Sequence, residues 1–332
     1  MNAGSGAAIF GCAGTTLSSN EAAFFRDCDP FGFIVFARNI ETPDQVARLT
    51  DALREAVGRD APVLIDQEGG RVQRMRAPHW REWAPPLETV LTAPDLASAA
   101  RQMRLRAQLI AAELRAVGVD ANCAPVADVA SASTHPFLRN RCYGTDPAVV
   151  TAVARAVADG LLAGGVLPVI KHMPGHGRSM MDTHHDLPRV TASAEALEAV
   201  DFAPFRALAD LPMAMTAHLV FEAFDQDLPA TQSPRMIRVI REDIGFGGLL
   251  MTDDLNMNAL SGTLAERTAR SIAAGVDIAL HCSGEMAEMQ AVAGAAGRMG
   301  PATLRRAGAA LAQRRDVGVP DVAGLMAELA HG

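Results

Sequence analysis

The sequence is poor in aromatic residues, which fill 5% of its 332 positions. A core built from it must rely on alanine, valine, leucine, isoleucine and methionine, and a hydrophobic content of 49% supplies enough of them. No run of like charges occurs. The net charge of -8, from 30 basic and 38 acidic residues, offers no general attraction for nucleic acid or an anionic membrane. No apolar stretch approaches the ~18 residues of a membrane span. The five cysteines, Cys12, Cys28, Cys123, Cys142 and Cys282, are scattered and form no CxxC pair. An odd, dispersed set argues against a disulfide framework and for reduced thiols in a cytosol. The N-terminal region lacks a basic leader, and its apolar piece at 7–12 is short for a signal peptide. A cytoplasmic protein is therefore expected, acting as a monomer or weak homodimer.

What is present is a regular alternation. Apolar runs at 7–12, 32–36, 62–65, 119–124, 166–170, 212–216, 248–252 and 276–280 read as strands. Amphipathic segments at 18–27, 42–57, 95–117, 147–163, 194–209, 234–244 and 264–274 read as the helices between them, and helices broken at Gly300-Pro301 follow residue 284. Residues 75–94, with four prolines, read as a long loop. Eight buried strands, each followed by a helix, are the count for a single-domain (β/α)8 TIM barrel, here spanning 1–332. A doubly wound open sheet would want a glycine-rich phosphate loop after its first strand, and Gly11-Cys12-Ala13-Gly14 matches GxGxxG poorly. A barrel collects its active site at the C-terminal strand ends. Those ends read Asp66 and Glu68, Asn122 and Asp128, Lys171-His172, His218, Asp253-Asp254, and His281.

The densest chemistry follows the fifth strand. The chain turns polar at Lys171-His172, and Pro174, Gly175 and Gly177 predict a loop from there onward. Four histidines and two aspartates fall within 172–186, in a chain with nine histidines. Two readings compete. The histidines form a metal nest, or Asp182 and His184 form an acid/base pair, since residues two apart on an extended segment point the same way. Metal-dependent barrel hydrolases usually carry an HxH pair after strand one, where this chain has Gly11-Cys12-Ala13.

After strand seven stand two adjacent carboxylates, Asp253 and Asp254. Alternation along a strand predicts that one of them faces the barrel mouth. A carboxylate opposite an acid/base group is the minimum equipment for glycoside hydrolysis. The hydrogen-bonding and cationic groups of Asp66, Arg74, Arg141, Lys171 and His172 suit a polyhydroxylated sugar. Several neighbours read as structural. Asp254 supports its turn, Glu68 holds Arg71 or a nearby loop, and His176 bonds backbone within its own loop, while His218 lines the pocket or fills space beside it.

Lys171-His172-Met173-Pro174-Gly175-His176-Gly177, with Asp182-Thr183-His184, resembles the KH(F)PGHG…D(S/T)H signature of family-3 glycoside hydrolases. The block from Asp66 to Arg74 and the block from Thr252 to Met257 match two further motifs of that family, and the resemblance covers about residues 7 to 285. The branch it points to is the β-N-acetylglucosaminidases of bacterial peptidoglycan recycling, which are single-barrel enzymes. The resemblance implies a retaining mechanism with Asp253 as nucleophile, His184 as general acid/base and Asp182 as its dyad partner. It implies sugar binding by Asp66, Arg74, Arg141, Lys171 and His172, a small carbohydrate substrate, and no metal or organic cofactor. Met173 stands where the family usually has phenylalanine, and Cys142 where serine is expected beside Arg141.

Overall fold

A computed structural model describes residues 2–179 and 187–331 of the chain. Its framework is eight short parallel strands: β1 (Gly6–Phe10), β2 (Pro30–Val35), β3 (Val63–Ile65), β4 (Ala121–Asn122), β5 (Leu167–Met173), β6 (Met213–Thr216), β7 (Leu249–Met251) and β8 (Ala279–His281). They are hydrogen-bonded in the order β7-β6-β5-β4-β3-β2-β1-β8. The two ends of that order meet through a parallel bridge between Met251 and Ile278, and the Thr252 N–H donates to the Ile278 carbonyl at 3.0 Å. The sheet thus closes on itself as a (β/α)8 barrel. Every residue of the eight strands is buried, as expected for a parallel sheet covered by helices outside and side chains within.

Local chemistry sets the helix starts. Ser18 and Glu21 form a reciprocal capping box before Ser19–Cys28, and Thr263 with Glu266 does the same before Leu264–Ala274. Thr42 caps Pro43–Val57, where the proline occupies the first turn and forfeits no helical hydrogen bond. The helices Met286–Ala296, Pro301–Leu311 and Val322–His331 fold back on the barrel. Arg306 bonds Asp277 just before β8, Arg314 bonds Asp120 just before β4, and Arg101 meets Glu328. All five cysteines are unpaired thiols.

The fold corrects three expectations. The proline-rich stretch at 75–94 contains a helix, Pro86–Thr92, whose prolines sit at its N-terminal end where they are tolerated. The helix expected over 194–209 is three pieces: Ala194–Ala196, a π-turn at Leu197–Asp201, and Ala203–Ala207. The Phe202 N–H reaches back to the Leu197 carbonyl, and Pro204 cannot donate. Finally, β5 does not end at Ile170. It continues through Lys171 and His172 to Met173, which pairs with Thr216 of β6. A buried strand can carry those polar residues because each finds an ionic partner inside the barrel mouth.

Candidate active site

The C-terminal strand ends surround a cavity of about 510 Å³, within the range of small-molecule sites. Asp66, Arg74, Arg141, Lys171, His172 and Asp253 all line it, so the structure brings together six residues separated by up to 187 positions, from 66 to 253. Asp182 and His184 lie outside the described residues, as do His185 and Asp186.

The deep end is a chain of ion pairs. β3 delivers Asp66 and then a hairpin, Gln67–Gly69 against Val72–Gln73, that carries Glu68 and leads to Arg74. From β5, the Lys171 ammonium donates to Asp66 Oδ1 at 2.8 Å and lies 2.6 Å from Glu68 Oε1. Arg74 Nη2 donates to Asp66 Oδ2 at 3.0 Å. Arg141 grips Glu68 with both edges, Nε to Oε2 and Nη2 to Oε1, each at 2.9 Å. Burial alone would push the Asp66 and Glu68 carboxyls up. Lys171 and Arg74 outweigh it for Asp66, Arg141 and Lys171 outweigh it for Glu68, and both carboxyls sit below their usual range. Desolvation likewise works against the Lys171 charge, and Asp66 and Glu68 reverse it, leaving the ammonium more basic than normal.

Behind this chain Arg106 is buried, donating to the Glu68 carbonyl at 2.9 Å and to Thr89 Oγ1 at 3.1 Å. It reaches there because Gly69, at φ +98, has no Cβ; one would overlap the guanidinium. Glu68 was expected to hold Arg71 or a nearby loop. The structure gives the second: its partners are Arg141, on the loop after the helix Pro136–Arg139, and Lys171 of β5.

Asp128, four residues beyond Ala124, organises the second wall. Its Oδ2 lies 2.7 Å from His172 Nδ1, and its Oδ1 accepts the backbone N–H groups of His172 and His176 at 3.2 and 2.7 Å. Binding Nδ1–H to a carboxylate leaves Nε2 of His172 as the atom presented to the cavity. Desolvation raises the Asp128 carboxyl, but His172 and these N–H donors overcome it and bring it down to about 2. The His176 imidazole has no partner for its buried Nδ1 among the described residues, and burial next to His172 lowers it to about 4, so it is neutral near pH 7. Its hydrogen bonds among the described residues are made by the backbone: the N–H to Asp128, and the carbonyl accepting the Ser179 N–H within the loop at 3.0 Å. The adjacent backbone is tightly packed: a Cβ at Gly177 would overlap the Val129 carbonyl.

Asp253 and Asp254 both border the cavity, where alternation predicted one. β7 ends at Met251, so the pair sits in a turn and strand alternation does not govern it. Asp253 Oδ1 accepts the Asp254 N–H at 2.8 Å. Burial raises Asp253, yet the imidazoles of His172 and His218, that N–H and Lys171 together lower it, leaving an ionised carboxylate. Asp254 is the opposite case. Burial dominates, the Asp253 charge adds to it, and the carboxyl rises to about 6 although Oδ1 accepts the Asn256 and Cys282 N–H groups. Two adjacent carboxyls with separated proton affinities are suited to different tasks. His218 is buried, bonded to Thr231 Oγ1 at 2.7 Å and to the Asp254 carbonyl at 3.1 Å, so it props the aspartate turn.

Sequence reasoning did not single out the aromatic rim. Phe36 lies beneath Arg74 at 5.3 Å, and Phe137 lies beneath Arg71 at 4.0 Å and near Arg141 at 5.6 Å. Phe36 follows directly on β2, which was a readable signal. Phe137 sits on the short helix Pro136–Arg139 in a loop with no periodic pattern to place it.

The chain matches the model of the glycosyl hydrolase family 3 N-terminal domain over residues 17–306. It is 38% identical over 283 residues to a beta-hexosaminidase from Alkalilimnicola ehrlichii, covering 84% of this chain and 81% of that protein. A beta-hexosaminidase from Xylella fastidiosa is 38% identical over 295 residues, with 86% and 87% covered. Among solved structures, NagZ from Neisseria gonorrhoeae in complex with N-trifluoroacetyl-D-glucosamine superposes with a TM-score of 0.87 at 29% identity, covering 98% of this chain and 96% of that one.

Proposed function

The chain belongs to glycosyl hydrolase family 3, and on that premise we propose that it is a retaining β-N-acetylglucosaminidase. It hydrolyses terminal, non-reducing β-linked N-acetylglucosamine, with peptidoglycan fragments as the substrate class and the cytoplasm as the place of action. The whole chain works as one catalytic unit. No helix among the described residues is long and apolar enough to cross a membrane.

The observation that carries this reading is Asp253, an ionised carboxylate that borders the cavity and makes no ion pair with any described residue. Such a carboxylate is free to attack an anomeric carbon. The sugar ring lies against Asp66, Arg74 and Lys171, whose ion pairs fix the donors and acceptors before substrate arrives. Arg141 and His172 close the ring's other side, each oriented by a buried carboxylate. Attack by Asp253 gives a glycosyl-enzyme as the aglycone leaves with a proton from His184. The same imidazole, paired with Asp182, then removes a proton from the incoming water. An imidazole titrates near pH ~6.5, so both states are accessible to one group in the two steps.

The test is turnover of 4-nitrophenyl N-acetyl-β-glucosaminide by the wild type and by Asp253→Asn, with intact-mass trapping by a 5-fluoro analogue of the sugar. The expected outcome is loss of at least about 10³-fold in the variant, and a label mapped to Asp253. A label on Asp254, or an inverted anomer in the first-formed product, would overturn the assignment.

A further inference from the structure

Of the four cations that line the cavity, three are committed to carboxylates: Arg74 to Asp66, Lys171 to Asp66 and Glu68, and Arg141 to Glu68. The fourth, Arg71, makes no ion pair with any described residue. It is exposed at the cavity mouth, and its guanidinium carbon lies over the Phe137 ring, 4.0 Å from the centroid. Its backbone is fixed all the same. The turn that carries it is held by the Gly70 N–H donating to the Trp83 carbonyl at 2.8 Å, and by Arg76 Nη2 donating to the carbonyls of Gly70 and Arg71. Arg38, near the second aromatic of the mouth, spends its donors on the carbonyls of Cys12 and Cys282.

A guanidinium held over an aromatic ring by cation–π attraction keeps its N–H groups free for a carboxylate, which it can bind with two parallel bonds. The contact also lowers the entropic cost of holding a long exposed side chain in place. The location decides what it meets. Asp66 and Lys171 line the cavity as little-exposed groups, while Arg71 is exposed and Phe137 is half-buried on its rim, so a terminal sugar held against Asp66 and Lys171 directs its leaving group towards the rim. In a protein of net charge -8 an anionic leaving group is repelled at long range, so a local cation at the mouth has a selective effect.

Resting on the glycosidase reading above, we propose that Arg71, held over Phe137, is a specificity residue of the leaving-group subsite and selects β-N-acetylglucosaminides whose aglycone carries a carboxylate. Peptide-bearing cell-wall fragments have that chemistry.

The experiment compares two synthetic aryl N-acetyl-β-glucosaminides matched in size and leaving-group basicity, one 4-(carboxymethyl)phenyl and one 4-(carbamoylmethyl)phenyl. kcat/KM is measured for the wild type, Arg71→Gln and Arg71→Lys. The wild type is expected to prefer the acid, with a preference that shrinks as salt is raised. Arg71→Gln should lower the acid-to-amide ratio by roughly ten- to hundredfold, the range of a charge-assisted pair, while Arg71→Lys retains part of it. An unchanged ratio in Arg71→Gln, or a parallel fall on both substrates, would overturn the subsite. The wild type's turnover of the neutral amide tests the glycosidase reading separately, because that reading requires it and the Arg71 assignment alone does not produce it.

Discussion

Replacing Glu68 by glutamine keeps the shape of the side chain but removes the charge that Arg141 and Lys171 share. The carboxylate is 1% exposed and accepts three charged donors at 2.6 to 2.9 Å. Taking one partner out of a buried ion pair costs about 3–5 kcal/mol. Asp66 remains to satisfy Lys171, which places this case at the lower end, about 3 kcal/mol, or a fall in Tm of roughly 4 °C for a chain of this length. The catalytic consequence is separate. Arg141 loses its bidentate anchor, so KM for an N-acetylglucosaminide should rise roughly tenfold or more. Asp253 is untouched, so kcat should change much less.

The pH dependence adds a signature that general destabilisation would not produce. Glu68 is held below the ordinary glutamate value of 4.5, so its stabilising contribution is present above that pH and is lost as pH falls through the lower folded value. The Tm curves of wild type and Glu68→Gln should therefore lie apart near pH 7 and converge on acidification below about 4.5. Glu68→Asp, which retains the charge, should recover part of both KM and Tm. A variant with KM within twofold of wild type and Tm within about 2 °C would refute the claim that this carboxylate sets the cation geometry.

Asp254→Asn should stabilise the protein at neutral pH. Its carboxyl is raised from 3.8 to about 6, so the folded state binds the proton more tightly and loses stability as pH climbs between those values. The asparagine variant should gain up to roughly 3 kcal/mol above pH ~6, and nothing below pH ~4, by thermal melts across that range. Asp277→Asn removes the charge that joins Arg241 at 2.6 Å and Arg306 at 2.9 Å at the opposite end of the barrel. It should lower Tm by several degrees, about 3 kcal/mol, with kcat/KM per folded molecule unchanged. His184→Ala should slow kcat about 10²–10⁴-fold on a substrate that needs protonation of its leaving group, and far less on an aryl glycoside with a good one.

The barrel was legible because its signals are local. The strands announce themselves as short continuous apolar runs, and the helices by a period of 3.6 residues, by caps such as Ser18 and Thr263, and by a proline at a first turn. Eight such units in alternation leave few ways to bury all the apolar faces, and the barrel rule then places the polar residues after each strand at one mouth. For that reason Asp66, Lys171, His172 and Asp253 could be nominated from sequence as neighbours. What sequence could not settle is which charge pairs with which. Glu68 meets Arg141 across 73 positions and Asp128 meets His172 across 44. Any carboxylate can pair with any cation, so only the packed distances select the partner. The same holds for the extension of β5 through Lys171 and for the shared exposure of Asp253 and Asp254 to the cavity. A lysine ends a strand or continues it according to whether the tertiary structure sets a buried anion, here Asp66 and Glu68, within reach of its ammonium.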